Sequence, residues 1–381
     1  MTADLVQDRE IRVLEAIGGA IKNRGQDGYV LSLVENLDMD GLKVDCLVPY
    51  DCPLGSYRES MERKGVRLYE LGIPYDPGRT VNGIYRPFIR FLKSHQYDII
   101  HIHSSKTTMM AMMAAAAKKA GVKRIIVHAH SGGSRSSLKH SLLRLAGYLA
   151  MKNSVDVYCA CSRSAAEWKY AKRHAENALI FKNGIDTERF RFSITAGKSV
   201  RERTGIPRDA FVIGNVGSLT EMKNQSFLID ILDAMDSGTF LMLVGDGEDR
   251  HGLEKKAMAG KHAGRVIFTG SVSNVQDCLS AMDVFVFPSL YEGLGTAAVE
   301  AQASGLPVVA SDRVPGDIAI TGNVRFLPLE EGTEAWAKEI LSLSSVNRTD
   351  CADRVREAGY DVRESVGSVR DLYLKLASGA I

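Results

Sequence analysis

With 381 residues, a formal net charge of +2, 45% hydrophobic and 25% charged residues, the chain has room for two domains and the composition of an ordinary globular enzyme, which excludes a disordered or fibrous protein. No apolar run approaches the ~18 residues that span a bilayer, and the polar, acidic start through Arg12 lacks the apolar core of a secretory signal. The six cysteines (46, 52, 159, 161, 278 and 351) form no Cys-x-x-Cys pair, so neither a zinc ribbon nor a disulfide framework is expected, and a reducing cytoplasm is the implied compartment.

Short apolar strands alternate with helical patterns through the first half. Strands are predicted at Arg12–Ile17, Val44–Val48, Ile99–His103, Arg124–His128 and Val155–Ala160. Helices are predicted at Tyr29–Leu37, Tyr85–Ser94, Thr107–Ala120, Leu138–Met151 and Ser164–Ala175. This alternation implies a doubly wound parallel sheet. Gly18 and Gly19 follow the first strand, where they permit a tight turn or a close approach of backbone to a ligand phosphate. Asp38-Met39-Asp40 reads as turn acids rather than a metal motif. The pairs His101/His103 and His128/His130 each share one strand face. No carboxylates lie near them in sequence, so histidines that close a strand, their ring N–H groups meeting backbone carbonyls, are a better reading than a metal site. His130, followed by Ser131-Gly132-Gly133, ends its strand and is the one expected to face a cleft. Between residues 79 and 173, Lys and Arg outnumber Asp and Glu by 17 to 3. That bias points to an anionic partner, whether membrane surface, nucleic acid or an anionic lipid-linked substrate. Lys139, His140 and Arg144 stud the helix 138–151 among its leucines, with Arg135 and Lys152 flanking it, the pattern of a core-packed helix or of a basic amphipathic surface.

A second series begins at Phe211. Its strands are predicted at Val212–Val216, Phe240–Val244, Arg265–Thr269, Val284–Phe287 and Val308–Ala310. The intervening helices are Asn224–Ala234, Gly252–Ala259, Asn274–Ser280, Ala297–Ala303 and Thr333–Leu343. Two series make two Rossmann-like α/β domains, 1–193 and 194–360, divided in the polar stretch Ile194–Pro207. A last helical pattern, 361–381, is free to return to the first domain. Ligands in such folds bind beyond the carboxyl ends of the strands. There Gly217-Ser218-Leu219-Thr220-Glu221-Met222-Lys223-Asn224 closes one strand and opens a helix, placing Lys223 to reach a diphosphate. Gly245 opens a glycine turn whose Gly-x-Gly-x-x-Gly pattern fails at Arg250, and reads as a loop lining the cleft. In Tyr291-Glu292-Gly293-Leu294-Gly295-Thr296, Glu292 lies on a strand-to-helix loop and Glu300 within the first turns of the helix, with open backbone N–H groups between them. Two acids bracketing a phosphate cradle suit a ligand with hydroxyls at both ends and phosphate in the middle, such as a nucleotide-sugar.

On these residues the chain resembles the retaining family 4 (group 1) glycosyltransferases of the GT-B fold, two Rossmann-like doubly wound parallel-sheet domains facing a cleft, and within them the bacterial capsular and exopolysaccharide branch. The resemblance covers nearly the whole chain. Glu292-x7-Glu300, with Ala301-Gln302-Ala303-Ser304-Gly305-Leu306-Pro307-Val308-Val309 after it, matches the family's signature, and Gly217 through Asn224 matches its phosphate loop. Asn183-Gly184-Ile185-Asp186 matches its interdomain turn, and His101-Ile102-His103-Ser104 and His128-Ala129-His130-Ser131 resemble its acceptor-domain strands. The resemblance implies that Glu292, His130 and Lys223 are catalytic. Glu292 would bind the donor sugar, with the N–H groups of Gly293, Leu294, Gly295 and Thr296 near sugar and phosphate, and His130 would face the sugar. Glu300 would hold the ribose, and Lys223 would stabilise the leaving diphosphate beside Gly217, Ser218 and Asn224. Gly18 and Gly19 would approach the diphosphate from the other domain, while Gly245 and Val272 complete the donor-binding set, the base being met near Ser271-Val272.

Two departures stand out: Ser218 replaces the arginine usual in that loop, and Ile21 and Lys22 stand where a glutamate often follows the N-terminal glycines. The implied reaction moves a hexose from a nucleotide-sugar, with UDP favoured, to a lipid-linked glycan acceptor, with retention and with neither metal nor cofactor. The basic N-terminal domain would contact anionic membrane at the inner face of the plasma membrane. No nucleic-acid partner is expected, because no aromatic residues interleave the basic ones. Two other readings stay open: a non-catalytic partner subunit, for which Ser218 argues, and a GT-B sugar-nucleotide epimerase.

Overall fold

The computed structural model describes residues 10–21, 25–53, 55–74, 82–131, 138–261 and 263–381. Lys22, Gly132, Gly133 and Arg135, singled out in the sequence, lie outside them. The chain forms two units, one made of residues up to Gly184 together with Val362–Ile381, the other of Ile185–Asp361.

The first unit is built on seven parallel strands, β1 (Ile11–Ile17), β2 (Leu42–Val48), β3 (Arg67–Glu70), β4 (Ile99–Ser104), β5 (Arg124–Ala129), β6 (Val157–Ala160) and β7 (Leu179–Ile180), in the order β3-β2-β1-β4-β5-β6-β7. β4 is buried along its whole length and β1 along most of it, as expected of strands covered on both faces. The direction of winding reverses between β1 and β4. β3 and β7 were not predicted: β3 reads Arg-Leu-Tyr-Glu and is only half buried at the sheet edge, and β7 has two residues, so neither carries an apolar run. The C-terminal helix Val362–Ser378 packs in this unit, with Val366, Val369, Leu372, Tyr373 and Leu376 in one core with Val13 and Ile17 of β1. Their spacing is the i, i+3, i+7 stripe of an amphipathic helix.

The second unit holds β8 (Phe211–Val216), β9 (Thr239–Val244), β10 (Val266–Gly270), β11 (Val284–Phe287), β12 (Val308–Ser311) and β13 (Val324–Leu327), all parallel, in the order β10-β9-β8-β11-β12-β13. Here the winding reverses between β8 and β11. The stretch expected to be an interdomain linker is instead a helix, Ile194–Thr204, within this unit. Ser193 caps it by accepting from the N–H of Ala196, and Gly205 ends it in the left-handed conformation. Its polar composition conceals a narrow buried seam, Gly197 and Val200, packed so closely that a side chain at Gly197 would collide with the carbonyl of Ser280. The units divide earlier, at Gly184/Ile185. There Ile185 donates its N–H to Tyr360 (2.8 Å) and the Thr187 hydroxyl donates to Asp361 Oδ2 (2.5 Å), so the second unit's two ends are tied together. The guanidinium of Arg348 donates to the carbonyls of Leu279, Met282 and Ser304, joining the ends of the helices Val275–Ala281 and Thr296–Ala303.

Leu372→Ala should cost about 2–5 kcal/mol of stability, the range for truncating a buried leucine. Urea unfolding measures it, and a negligible cost would show that the last helix is not part of the first unit's core.

Candidate functional site

In the second sheet, the loops after β8 and β11 leave from neighbouring strands at the point where the winding reverses, the place where doubly wound sheets open a crevice. After β8 comes the turn Gly217–Thr220, then a 3-10 turn, Glu221–Lys223, and then the helix Gln225–Asp233. Asn224, expected inside the helix, precedes it with a left-handed φ of 54°, which asparagine tolerates better than most residues, and its side chain donates to the carbonyl of Pro288 (3.3 Å). Leu290 donates its N–H to Met222 (2.9 Å). These two bonds bind the Lys223 turn to the Glu292 loop.

The result is an ion pair: Lys223 Nζ lies 2.5 Å from Glu292 Oε1, with side-chain exposures of 16% and 8%. The ammonium also sits 5.1 Å above the Phe287 ring. The loop from Glu292 continues into the helix Thr296–Ala303, whose positive dipole end no side chain among the described residues caps. Leu294 points into the core. Gln302, wholly buried, donates to the carbonyls of Ala298 and Ile318 and accepts from the N–H groups of Ile320 and Thr321, which locks the helix in place. Glu300 is pushed up to about 7 by burial, opposed by the nearby Arg189 guanidinium. Arg189, held by Gln276 Oε1 (3.2 Å) and the carbonyl of Ser273, was not singled out in the sequence, where it reads as one more surface arginine after the Asn183–Asp186 turn.

The two glycine loops beside Lys223 are interlocked. Gly217 donates to Val244 (2.9 Å) and Leu219 to Asp246 (3.1 Å). A side chain at Gly245 would collide with the carbonyl of Gly217, and its φ is 133°, so glycine is required by loop against loop. Gly245 also donates to the carbonyl of Gly270, two residues before Val272, which is half-buried on the core. Ser218 is half-buried and its carbonyl accepts from Gln225 Nε2 (2.9 Å).

Gly18, Gly19 and His130 lie in the first unit. Protein fills the space that a Cβ would need at both glycines: Met109 Cγ would lie 2.7 Å from one at Gly18, and the Gln26 amide meets one at Gly19. Packing alone therefore accounts for glycine at both positions. The histidine expectation is corrected. Their rings meet not backbone carbonyls but one another and a carboxylate, Glu15, brought from β1: His103 Nε2 lies 2.7 Å from Glu15 Oε2, and His103 Nδ1 lies 2.9 Å from His130 Nε2. His101, His103 and His128 offer nitrogens within 4.8 Å of one another, but both ring nitrogens of His101 and His103 already have protein partners. Burial lowers all four histidines, His130 to about 3. The sequence signal for the network was Glu15 itself, a carboxylate inside an apolar strand. Lys169 was also missed. It is buried, donates to the carbonyl of Ser105 (2.6 Å) and is pushed down to about 8 by burial; its place on the stripe Ala165, Ala166, Lys169 marks it as inward-facing.

Gly295 has a φ of 89°, and a side chain there would press on the Phe287 ring at 2.8 Å. Gly295→Ala should therefore cost about 1–3 kcal/mol through backbone strain and displace the Glu292 loop; thermal melting at wild-type values would contradict this.

A family model described as "Glycosyl transferases group 1" matches residues 210–345, and one described as "Glycosyltransferase Family 4" matches residues 23–189. EpsF of Bacillus subtilis, a candidate glycosyltransferase, is 28% identical over 373 residues, which are 95% of this chain and 96% of that protein. The UDP-Gal:alpha-D-GlcNAc-diphosphoundecaprenol alpha-1,3-galactosyltransferase of Escherichia coli is 26% identical over 308 residues, 75% of this chain and 78% of its own. Among solved structures, Anabaena Alr3699/HepE in complex with UDP superposes with a TM-score of 0.78 at 17% identity, covering 95% of this chain and 99% of that one, a likeness of fold. With both sheets parallel and doubly wound, the chain belongs to the group 1, family 4 glycosyltransferases of the GT-B fold.

Proposed function

We propose that the protein moves a hexose, from a UDP-sugar above other nucleotide-sugars, to a lipid-linked glycan acceptor in cell-surface polysaccharide synthesis, with retention of configuration and without a metal ion. The observation that carries this reading is the Lys223–Glu292 pair at the reversal of the second sheet, with Glu300 on the helix that follows. Glu292 takes hydroxyls of the sugar, Lys223 the diphosphate and Glu300 the ribose. The N–H groups of Gly293 to Thr296 lie toward sugar and phosphate. Gly217, Ser218 and Asn224 form the turn beside the phosphate, and Gly245 and Val272 bound the base. Within the first unit, Gly18, Gly19 and His130 are assigned to phosphate and sugar by the family's motifs alone. The choice of uridine is supported by HepE, solved with UDP and with UDP-glucose, and the acceptor by the E. coli relative's name.

The mechanism that suits these groups is front-face departure. The acceptor hydroxyl attacks from the side the diphosphate leaves, and a leaving phosphate oxygen takes its proton. Lys223 and the helix N-terminus then stabilise the charge that develops. Glu292→Ala and Lys223→Ala should each lower transfer by about 10²-fold or more while both proteins melt cooperatively; wild-type rates would sink the assignment. UDP-glucose should raise the melting temperature more than GDP- or ADP-sugars. Ser218 favours one second reading, a non-catalytic partner subunit, and the absence of any shift with all three would select it.

Contact with anionic membrane is proposed through the helix Leu138–Met151. Leu142, Leu145 and Leu149 are 59%, 55% and 53% exposed at i, i+3 and i+7 spacing, while Met151 is buried and Gly147 packs against Thr107. An apolar stripe in a region rich in Lys and Arg suits an interfacial helix. Replacing the three leucines by serine should reduce co-sedimentation with phosphatidylglycerol vesicles several-fold, with unchanged melting; undiminished binding would exclude this face.

A further inference from the structure

Glu15 lies in the middle of β1, fully buried. Each of its oxygens starts a hydrogen-bonded arm. One arm runs from Glu15 Oε2 to His103 Nε2 (2.7 Å), then from His103 Nδ1 to His130 Nε2 (2.9 Å). The other runs from Glu15 Oε1 to the Tyr373 hydroxyl (2.5 Å), from that hydroxyl to His101 Nδ1 (2.6 Å), and from His101 Nε2 to His128 Nδ1 (3.2 Å). Both arms end on a buried nitrogen with no hydrogen-bond partner among the described residues, His130 Nδ1 and His128 Nε2.

Proton positions in such a chain follow from its partners. An ionised carboxylate has only acceptor oxygens, so His103 must carry its proton on Nε2 and Tyr373 must donate its own to Glu15. His103 Nδ1 is then an acceptor and needs His130 to carry its proton on Nε2. Tyr373, having donated, accepts from His101 Nδ1, and His101 Nε2 accepts from His128 Nδ1. Every bond is made once, and both chain ends are bare lone pairs.

We propose that Glu15 is a positioning residue: as the carboxylate, acting through His103, it holds His130 as the Nε2–H tautomer, so that a ligand meets the Nδ1 of His130 as an acceptor and must bring a hydroxyl or other donor to it. This rests on the proposed role of His130 for its consequence, a preference for a sugar hydroxyl, but not for the tautomer itself. Tyr373 brings the C-terminal helix into the same network, so the last turns of the chain share in setting the polarity of the sheet's interior.

The groups packed around Glu15 are Tyr373, His101, His103, His128 and His130, with Tyr29, Cys46, Tyr57 and Cys159 farther out. Burial pushes Glu15 up to about 8, against the hydrogen bond from Tyr373. One proton added to the carboxyl turns one of its oxygens into a donor, which reverses one arm and leaves the other as it was. Glutamine imposes the same condition at every pH, having one donor and one acceptor end.

The test is a long-range ¹H–¹⁵N spectrum of the full-length protein with ¹⁵N-labelled histidine, at about pH 9 and without any sugar nucleotide. In the wild type, His103 and His130 should be Nε2–H, and His101 and His128 Nδ1–H; the opposite tautomer at His103 or His130, or metal-shifted nitrogens, overturns the proposal. In Glu15→Gln, both histidines of one arm should exchange tautomers together; four unchanged histidines overturn it. The wild-type spectrum decides even if the variant does not fold. Because no donor is present, the outcome is independent of whether His130 meets a sugar; loss of that role would show instead as wild-type transfer by His130→Ala.

Discussion

The arrangement of the second unit follows from one constraint: β8 pairs in parallel with β9 on one side and β11 on the other. Parallel neighbours are joined by crossovers that return over a face of the sheet, so all connecting turns from the carboxyl ends collect at one edge. Where the winding reverses, two of these turns lead to helices on opposite faces and diverge, leaving a gap between them. The Lys223 turn and the Glu292 loop occupy that gap. The bonds from Asn224 to Pro288 and from Leu290 to Met222 hold the turn and the loop at a fixed separation. Gly245, pressed on the Gly217 carbonyl, fixes the turn from the other side.

Much of this was legible because the central strands are buried on both faces and read as apolar runs: β1, β4, β5, β8, β9 and β11 all announce themselves in this way. What escaped was marginal or disguised. β3 and β13 lie at sheet edges and carry polar residues, β7 is too short to show any pattern, and the helix Ile194–Thr204 buries only a thin seam beneath a basic exterior. The paired glutamates and Lys223 could be singled out because their loop chemistry is local in sequence. Glu15 and Tyr373 were not joined to the histidines because 88 and 272 residues separate the partners, and only the sheet order brings β1 and the last helix to β4.

The glycine pairs teach a related lesson. Gly18 and Gly19 have a motif-like position after the first strand, yet Met109 and Gln26 already fill the space beside them. A glycine demanded by packing and a glycine kept clear for a phosphate look the same in a sequence. Ser218 is the converse case. It stands at a position where the family offers a guanidinium, and its own carbonyl serves only to hold Gln225. Within the Gly217–Asn224 segment and the Glu292 loop, the positive groups are Lys223 and the uncapped N-terminus of the helix Thr296–Ala303.

The Lys223–Glu292 pair sets a condition on what can settle there. In the structure each group is the other's partner, and both are largely out of water. An anion that captures Lys223 alone strands a buried carboxylate, and breaking such a pair from one side costs on the order of 3–5 kcal/mol. A ligand that brings an anion for the lysine and hydroxyls for the glutamate compensates both at once. In the proposed reaction, where such a ligand is cleaved and its hydroxyl-bearing part departs, the carboxylate would recover the ammonium in competition with the anion left behind. On the proposed function, the pair would thus act as a two-key lock that reseats itself once one key is withdrawn.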